Sequence, residues 1–162
     1  MNEKANIDGG EYSFIEVIPV LDEKAKMVLC TDAARSILIV SPYIQKNRIT
    51  GLLPILENAV SSSVRVTVYT KVLESYKPDQ EPEIASAIAM LKNAGISVAM
   101  QENLQQHYAI IDESAVWYGN IDFLAFGRKD SDTLRFENAE IAGELLEMSA
   151  ESAPIESNSA LL

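Results

Sequence analysis

Apolar and polar positions switch between two periods along the chain, and each change of period marks an element. Leu21, Ala25, Val28 and Leu29 fall at helical spacing and predict a helix over 21–34. Ser36-Ile37-Leu38-Ile39-Val40 is an unbroken β-prone run, as expected of a strand covered on both faces. Leu52, Leu53, Leu56, Ala59 and Val60 return to helical spacing. They predict a helix capped by Thr50 and running through Ser61, with Pro54 in its first turn, where a missing N–H costs little. Val64 to Tyr69 reads as a strand, and Glu83 to Asn93 as a helix with Ile84, Ala87, Ile88 and Leu91 inward and Gly95 as its stop. Ile96 to Met100 predicts a further strand. His107 to Ile111 and Ala115 to Tyr118 predict a hairpin turning at Asp112-Glu113-Ser114. Leu134-Arg135-Phe136 reads as a short strand before a last helix from Ala139 to Met148.

Alternation of strands and helices predicts an α/β fold, a mixed β-sheet flanked by helices, in a single domain over 12–148. Residues 1–11, polar and carrying Gly9-Gly10, read as a flexible leader; 149–162 lack periodicity and read as a disordered acidic tail. Sites in such sheets gather at strand ends, here Ser41-Pro42-Tyr43, Thr70-Lys71 and the hairpin.

With 162 residues, 48% of them apolar, the chain is long enough for one domain with a proper core. No apolar run approaches the roughly 20 residues that span a bilayer, so no membrane partner is expected. The N-terminus has no apolar core of a secretory signal, and the single cysteine, Cys30, has no partner for an internal disulfide. Both point to the cytoplasm. A net charge of −11 opposes general attraction to nucleic acid or anionic membranes. Lys46, Arg48, Lys71, Arg128 and Lys129 could still converge into a local phosphate groove, or lie scattered on the surface. No cysteine–histidine cluster and no glycine-rich phosphate loop is present, so no metal or cofactor is implied.

The most informative stretch is Gln105-Gln106-His107-Tyr108-Ala109-Ile110-Ile111-Asp112, followed by Trp117-Tyr118-Gly119-Asn120-Ile121-Asp122. It resembles the signature of the phospholipase D superfamily, His-x-Lys-x4-Asp-x6-Gly-Ser-x-Asn. Asp112 and Gly119 stand in register. Gln105 takes the histidine slot, His107 the lysine slot, Asn120 the serine slot and Asp122 the asparagine slot. The likeness extends from about Tyr12 to Glu147 through Ile37–Ile44, Val66–Lys71 and Leu134-Arg135-Phe136-Glu137-Asn138. The wording is closest to the phospholipase D-like module at the C-terminal end of some bacterial DEAD/DEAH-type and superfamily 1 helicases.

The resemblance implies a chemistry. In active members a histidine attacks phosphorus, and a second, from another copy of the signature, protonates the leaving oxygen. Lysine and asparagine steady the phosphoryl oxygens, and the aspartate orients a histidine. Here the vestigial site would comprise His107, Asp112, Gln105, Asn120, Asp122 and Glu137, with Lys71, Arg128, Lys129 and Ser41 binding phosphate or nucleic acid. A carboxamide at 105 is a poor nucleophile. An imidazole at 107 reaches less far than lysine, and Asp122 adds negative charge where phosphate should sit. The expectation is a catalytically impaired module for recognition or dimerisation, with a homodimer, nucleic acid or a helicase as partner. The alternative is an active phosphodiesterase or nuclease using His107 across a homodimer, since the chain has one histidine. Bland roles stay open beside these. His107 could be a half-buried strand residue, Asp112 a turn residue, Trp117 and Tyr118 core and rim aromatics.

Overall fold

The computed structural model describes residues 2–7, 10–15, 33–120, 122–125 and 133–152. Its strands are β1 (Asn2–Ile7), β2 (Gly10–Ile15), β3 (Ser36–Val40), β4 (Arg65–Lys71), β5 (Ser97–Gln101), β6 (His107–Ile111), β7 (Ala115–Gly119) and β8 (Thr133–Glu137). They form one sheet in the order β1-β2-β8-β7-β6-β3-β4-β5. The helices are α1 (Lys46–Ser61), α2 (Glu81–Asn93) and α3 (Ala139–Ser152).

Strands β3, β4 and β5 run parallel, and the crossovers such strands require are α1 and α2. Every other pairing is antiparallel, so the sheet changes character between β3 and β6. The mixed, helix-flanked sheet expected from the sequence is therefore what forms. Side-chain alternation divides the core in two. Ile37, Ile39, Val66, Val68, Ala109, Ile111 and Trp117 meet α1 and α2, while Leu38, Val40, Tyr108, Ile110 and Val116 meet α3. Covered on both faces, all five residues of β3 are buried, which explains its uninterrupted apolar run.

Three placements differ from expectation. Of the stretch expected as a leader, residues 2–7 form β1 and residues 10–11 open β2, with β1 paired to β2 and β2 to β8. Helix α1 begins at Lys46, not Thr50. The Gln45 N–H donates to the Leu124 carbonyl (2.9 Å) and its own carbonyl accepts from Ile49 (3.0 Å), which starts the helix a turn early. Thr50 instead bonds back to the Lys46 carbonyl through its hydroxyl (2.9 Å), and Pro54 lies inside the helix on an exposed face. Helix α3 continues to Ser152, into the stretch expected to be tail, because Ser149 is buried and bonded to the Leu145 carbonyl and the Tyr108 hydroxyl. The predicted helix over 21–34, with Cys30, lies outside the described residues apart from its last two, which are not helical.

Gly95 ends α2 as expected. The Ile96 N–H reaches the Leu91 carbonyl (3.1 Å) and the Gly95 N–H the Lys92 carbonyl (3.0 Å), with Gly95 at φ +88. A Cβ there would stand 3.0 Å from Val60 Cγ1 on α1. Gly95→Ala should therefore lower stability by about 1–2 kcal/mol, read as a shifted urea midpoint with unchanged slope.

Candidate functional site

The C-terminal ends of β3 and β4 and the start of β6 lie together, since Val40 pairs with both Tyr69 and Tyr108. The chain leaves β3 through a tightly bonded turn. The Ser41 N–H donates to the Tyr69 carbonyl (3.0 Å), and the Pro42 carbonyl accepts from the Lys71 N–H and the Thr70 hydroxyl (both 3.1 Å). Ser41, expected to bind phosphate, is fully buried. Its hydroxyl donates to the Tyr43 carbonyl (2.8 Å) and accepts from the Leu124 N–H (3.4 Å), which ties this turn to the segment after β7.

That segment, 122–125, is pinned against α1: the Phe123 carbonyl accepts from Arg48 Nε (3.3 Å), and Phe123, Leu124 and Ala125 are buried. Arg48 is thereby turned inward and nearly enclosed, and burial pushes its pKa down. It is not a groove cation.

The same anchoring delivers Asp122 to His107. Nδ1 of His107 and Oδ1 of Asp122 are 2.9 Å apart, with 23% of each side chain exposed. The contact is close enough for an ion pair, but the ring N–H is not aimed along it, and neither atom has a hydrogen bond to any described residue. The Asp122 carboxylate thus stands against the imidazole of His107. Asn120 follows Gly119, the residue paired with His107, and is exposed.

Asp122 opens onto a cleft of about 540 Å³ lined also by Tyr43, Lys46, Asn47, Tyr76 and Lys77. Tyr43 and Tyr76 meet edge to face with centroids 5.7 Å apart. The Tyr76 hydroxyl accepts the Ile44 N–H (3.0 Å), and burial, with help from Tyr43 and Asp122, raises its pKa. Lys71 Nζ lies 3.1 Å from the Tyr43 hydroxyl and 4.6 Å from the ring centre. Tyr76 and Lys77 thus join the site without having been singled out in the sequence, whereas Tyr43 belongs to a strand end that was. Tyr43 follows a buried strand at a Ser-Pro turn, which was a signal; Tyr76 carries none.

Other expected members stand elsewhere. Gln105 lies in the β5–β6 loop, two residues before β6. It lines a different, larger cleft of about 780 Å³ with Leu104, Tyr108, Met148 and Ser149, on the α3 face of the sheet. His107 shares the face of Ala109, packed toward α1 and α2. His107 itself lines neither cleft; of the pair, Asp122 alone reaches the smaller one. Asp112 sits at the far end of β6, roughly 17 Å along the strand from His107. Its Oδ1 accepts the N–H groups of Ala34 (3.2 Å), Arg35 (2.8 Å) and Ser36 (3.0 Å), and Oδ2 accepts Ala34 at 3.0 Å. It orients backbone, not an imidazole. Glu137 belongs to that same end, opposite Ala115, with its carboxylate on Arg135 (2.6 Å). Arg128 and Lys129 lie outside the described residues. Among the described residues no group of three or more histidine, cysteine or acidic side chains could hold a metal, and no helix is long and apolar enough to cross a membrane.

A mixed sheet between α1 with α2 and α3, carrying a turn-anchored hairpin at its centre, is a phospholipase D-like fold. Solved structures share it at low identity. Nuc from Salmonella typhimurium, a phospholipase D family member, superposes with a TM-score of 0.63 at 16% identity, over 79% of this chain and 87% of that one. NucT from Helicobacter pylori gives 0.65 at 17%, over 89% and 98%. TrmBL2, an archaeal chromatin protein, gives 0.59 at 16%, over 88% of this chain and 53% of that one. The sequence matches no family model and no curated protein, so the likeness is one of fold.

The Asp112 anchor makes a prediction. Burial alone would raise its carboxyl pKa, but the N–H groups of Ala34, Ser36 and Arg35, with the Arg35 charge, outweigh it and hold the value below the ordinary carboxylate range. A depressed folded value contributes stability that is full above the unfolded pKa and lost as pH falls through the folded one. Asp112→Asn should cost about 1–3 kcal/mol at pH 7. The gap to the unsubstituted protein should close on acidification below about pH 4, measured by urea denaturation across pH.

Proposed function

We propose that this domain is a phospholipase D-like module that recognises phosphate groups of nucleic acid at the His107–Asp122 end of its sheet, or assembles there, without turning over phosphodiesters. One observation carries the reading: the single histidine of the chain is set against a carboxylate, while Gln105 opens onto the opposite face of the sheet. A phosphoryl group seated on His107 for attack would face the Asp122 carboxylate, 2.9 Å from the ring, which opposes the charge built up in hydrolysis, whereas phosphates along the cleft can meet Lys46 and Lys77. Hydrolysis by the two-histidine route would also need a second imidazole, and these 162 residues hold one. That TrmBL2 is described as a DNA-binding protein supports a binding role for a fold of this kind. The sequence resemblance adds a DNA helicase to the partners we infer, and a homodimer to the assemblies.

The test pairs turnover with binding. The purified chain should not release nitrophenol from bis-p-nitrophenyl phosphate above background, with or without divalent metal. It should retain DNA at low salt, and Lys71→Glu should lower that affinity several-fold. The combined change Gln105→His, His107→Lys and Asp122→Asn should leave turnover absent, because residue 105 stands in a loop on the other face. Hydrolysis by the unmodified chain that His107→Ala abolishes would defeat the reading.

That outcome would favour the second reading, an active phosphodiesterase with His107 as nucleophile in a two-fold dimer. The 2.9 Å contact is what speaks for it, since a carboxylate beside an imidazole is how an enzyme orients one. A covalent phosphohistidine on His107, trapped by acid-free quench and mass spectrometry, would be its mark.

A further inference from the structure

We infer that the cleft beside Asp122 takes single-stranded nucleic acid, with an unpaired base stacked on Tyr43 and the neighbouring phosphates met by Lys71, Lys46 and Lys77. The inference rests on the proposed recognition of nucleic-acid phosphates and adds to it the state of the strand and the residue that selects it.

Tyr43 is 44% exposed, the one large exposed aromatic ring among the described residues. An exposed ring normally wanders between rotamers, whereas this one is held at two sides. Tyr76 packs edge-on against it, and Tyr76 is itself fixed through the Ile44 N–H. Lys71 reaches its hydroxyl from the end of β4. The backbone beneath is fixed as well, because the Tyr43 carbonyl accepts the buried Ser41 hydroxyl. A planar apolar surface held this way costs little further entropy when a flat partner lies on it. The cleft it borders, about 540 Å³, suits an occupant of nucleotide size.

The surrounding groups match a nucleotide better than any apolar guest. Lys46 and Lys77 line the same cleft, with Lys71 against the ring, so cations sit beside it where a backbone would run, while Glu83 and Asp122 supply the two carboxylates of the lining. Asn47 and Gln80 offer amides able to meet base edges, and Asp122 can accept from a sugar hydroxyl or an exocyclic amine. A duplex cannot use this arrangement, since its bases are stacked on one another and only its backbone is offered. The net charge of −11 sharpens the choice. Long-range attraction to a polyanion is weak here, so affinity must come from contact, and base stacking is a contact that salt does not screen.

The experiment is fluorescence anisotropy with a labelled ten-residue oligothymidylate and a ten-base-pair duplex, at several salt concentrations, using the full chain. The expected result is preference for the single strand. Tyr43→Ala should weaken it about tenfold with an unchanged salt slope, and Tyr43→Phe should bind within twofold of the unsubstituted protein. Lys71→Gln should instead lower the salt slope by about 0.7. Equal loss on both nucleic acids, or none, with Tyr43→Ala would overturn the stacking role. If Lys71→Gln still weakened binding, phosphate recognition would survive without it. No binding of either probe at low salt would remove both readings together.

Discussion

The Asp112 carboxylate accepts three consecutive backbone N–H groups at the entry to β3, at the seam where the sheet turns from parallel to antiparallel. The amides of Ala34 and Arg35 precede the strand and that of Ser36 opens it, so one carboxylate supplies an acceptor to all three. The same residue donates its own N–H to the Ser36 carbonyl (2.9 Å) and gives its carbonyl to Arg35 Nη2 (3.0 Å). Asp112 and Glu113 both adopt left-handed backbone (φ 52 and 58), closed by the Ser114 N–H on the Ile111 carbonyl. Aspartate tolerates that region better than most residues, and the anchoring bonds offset the strain carried at Glu113. Register is what this fixes. A slip of β6 by one residue would turn Tyr108 and Ile110 toward α1 and Ala109 and Ile111 toward α3.

Consequences appear at the opposite end of the same strand. With register set, His107 must point to the α1 and α2 face. The segment 122–125, clipped to Ser41, Gln45 and Arg48, then has one place to hold Asp122. The motif's two ends therefore do different work: one end builds the sheet and the other furnishes the cleft. Gln105 belongs to neither, because β6 pairing with β3 stops at Tyr108 and the chain before His107 is free to turn toward α3.

Much of the fold was legible because burial writes periodicity directly. The continuous run of β3, the four inward positions of α2 and the Gly95 stop each reflect one physical demand at one place. Elements set by distant partners were not legible. Helix α1 starts at Lys46 owing to a carbonyl at Leu124, and no local pattern encodes that. The β1–β2 hairpin was written in Glu11-Tyr12-Ser13-Phe14-Ile15, an alternation passed over because polar flanks and Gly9-Gly10 suggested a leader. For the site, spacing placed Asp112, Gly119 and His107 on one hairpin, as they are, but could not say which end of the strand borders a cleft. It grouped Asp112 and Glu137 with His107, although strand length sets them far apart. It also grouped Gln105 with His107, although the strand begins only at His107 and Gln105 lies in the loop before it.

The electrostatic reading of the site changes with this geometry. Five cations converging on one groove would have made charge the source of affinity for a phosphate backbone. Arg48 is instead committed to the Phe123 carbonyl, and Asp122 sits among the lysines that remain. In a chain of net charge −11 such a cleft gives little steering at a Debye length of about 8 Å in physiological salt. Whatever ligand binds must be held by short-range contact, and the groups offering it are rings and amides set beside two carboxylates, Asp122 and Glu83. Under the proposed function, the absence of turnover and the reliance on contact over charge have a common origin, the carboxylate of Asp122 set against His107. An active site needs positive potential where phosphorus sits. A recognition site needs only shape, a flat surface and enough cations at its rim to tolerate the backbone.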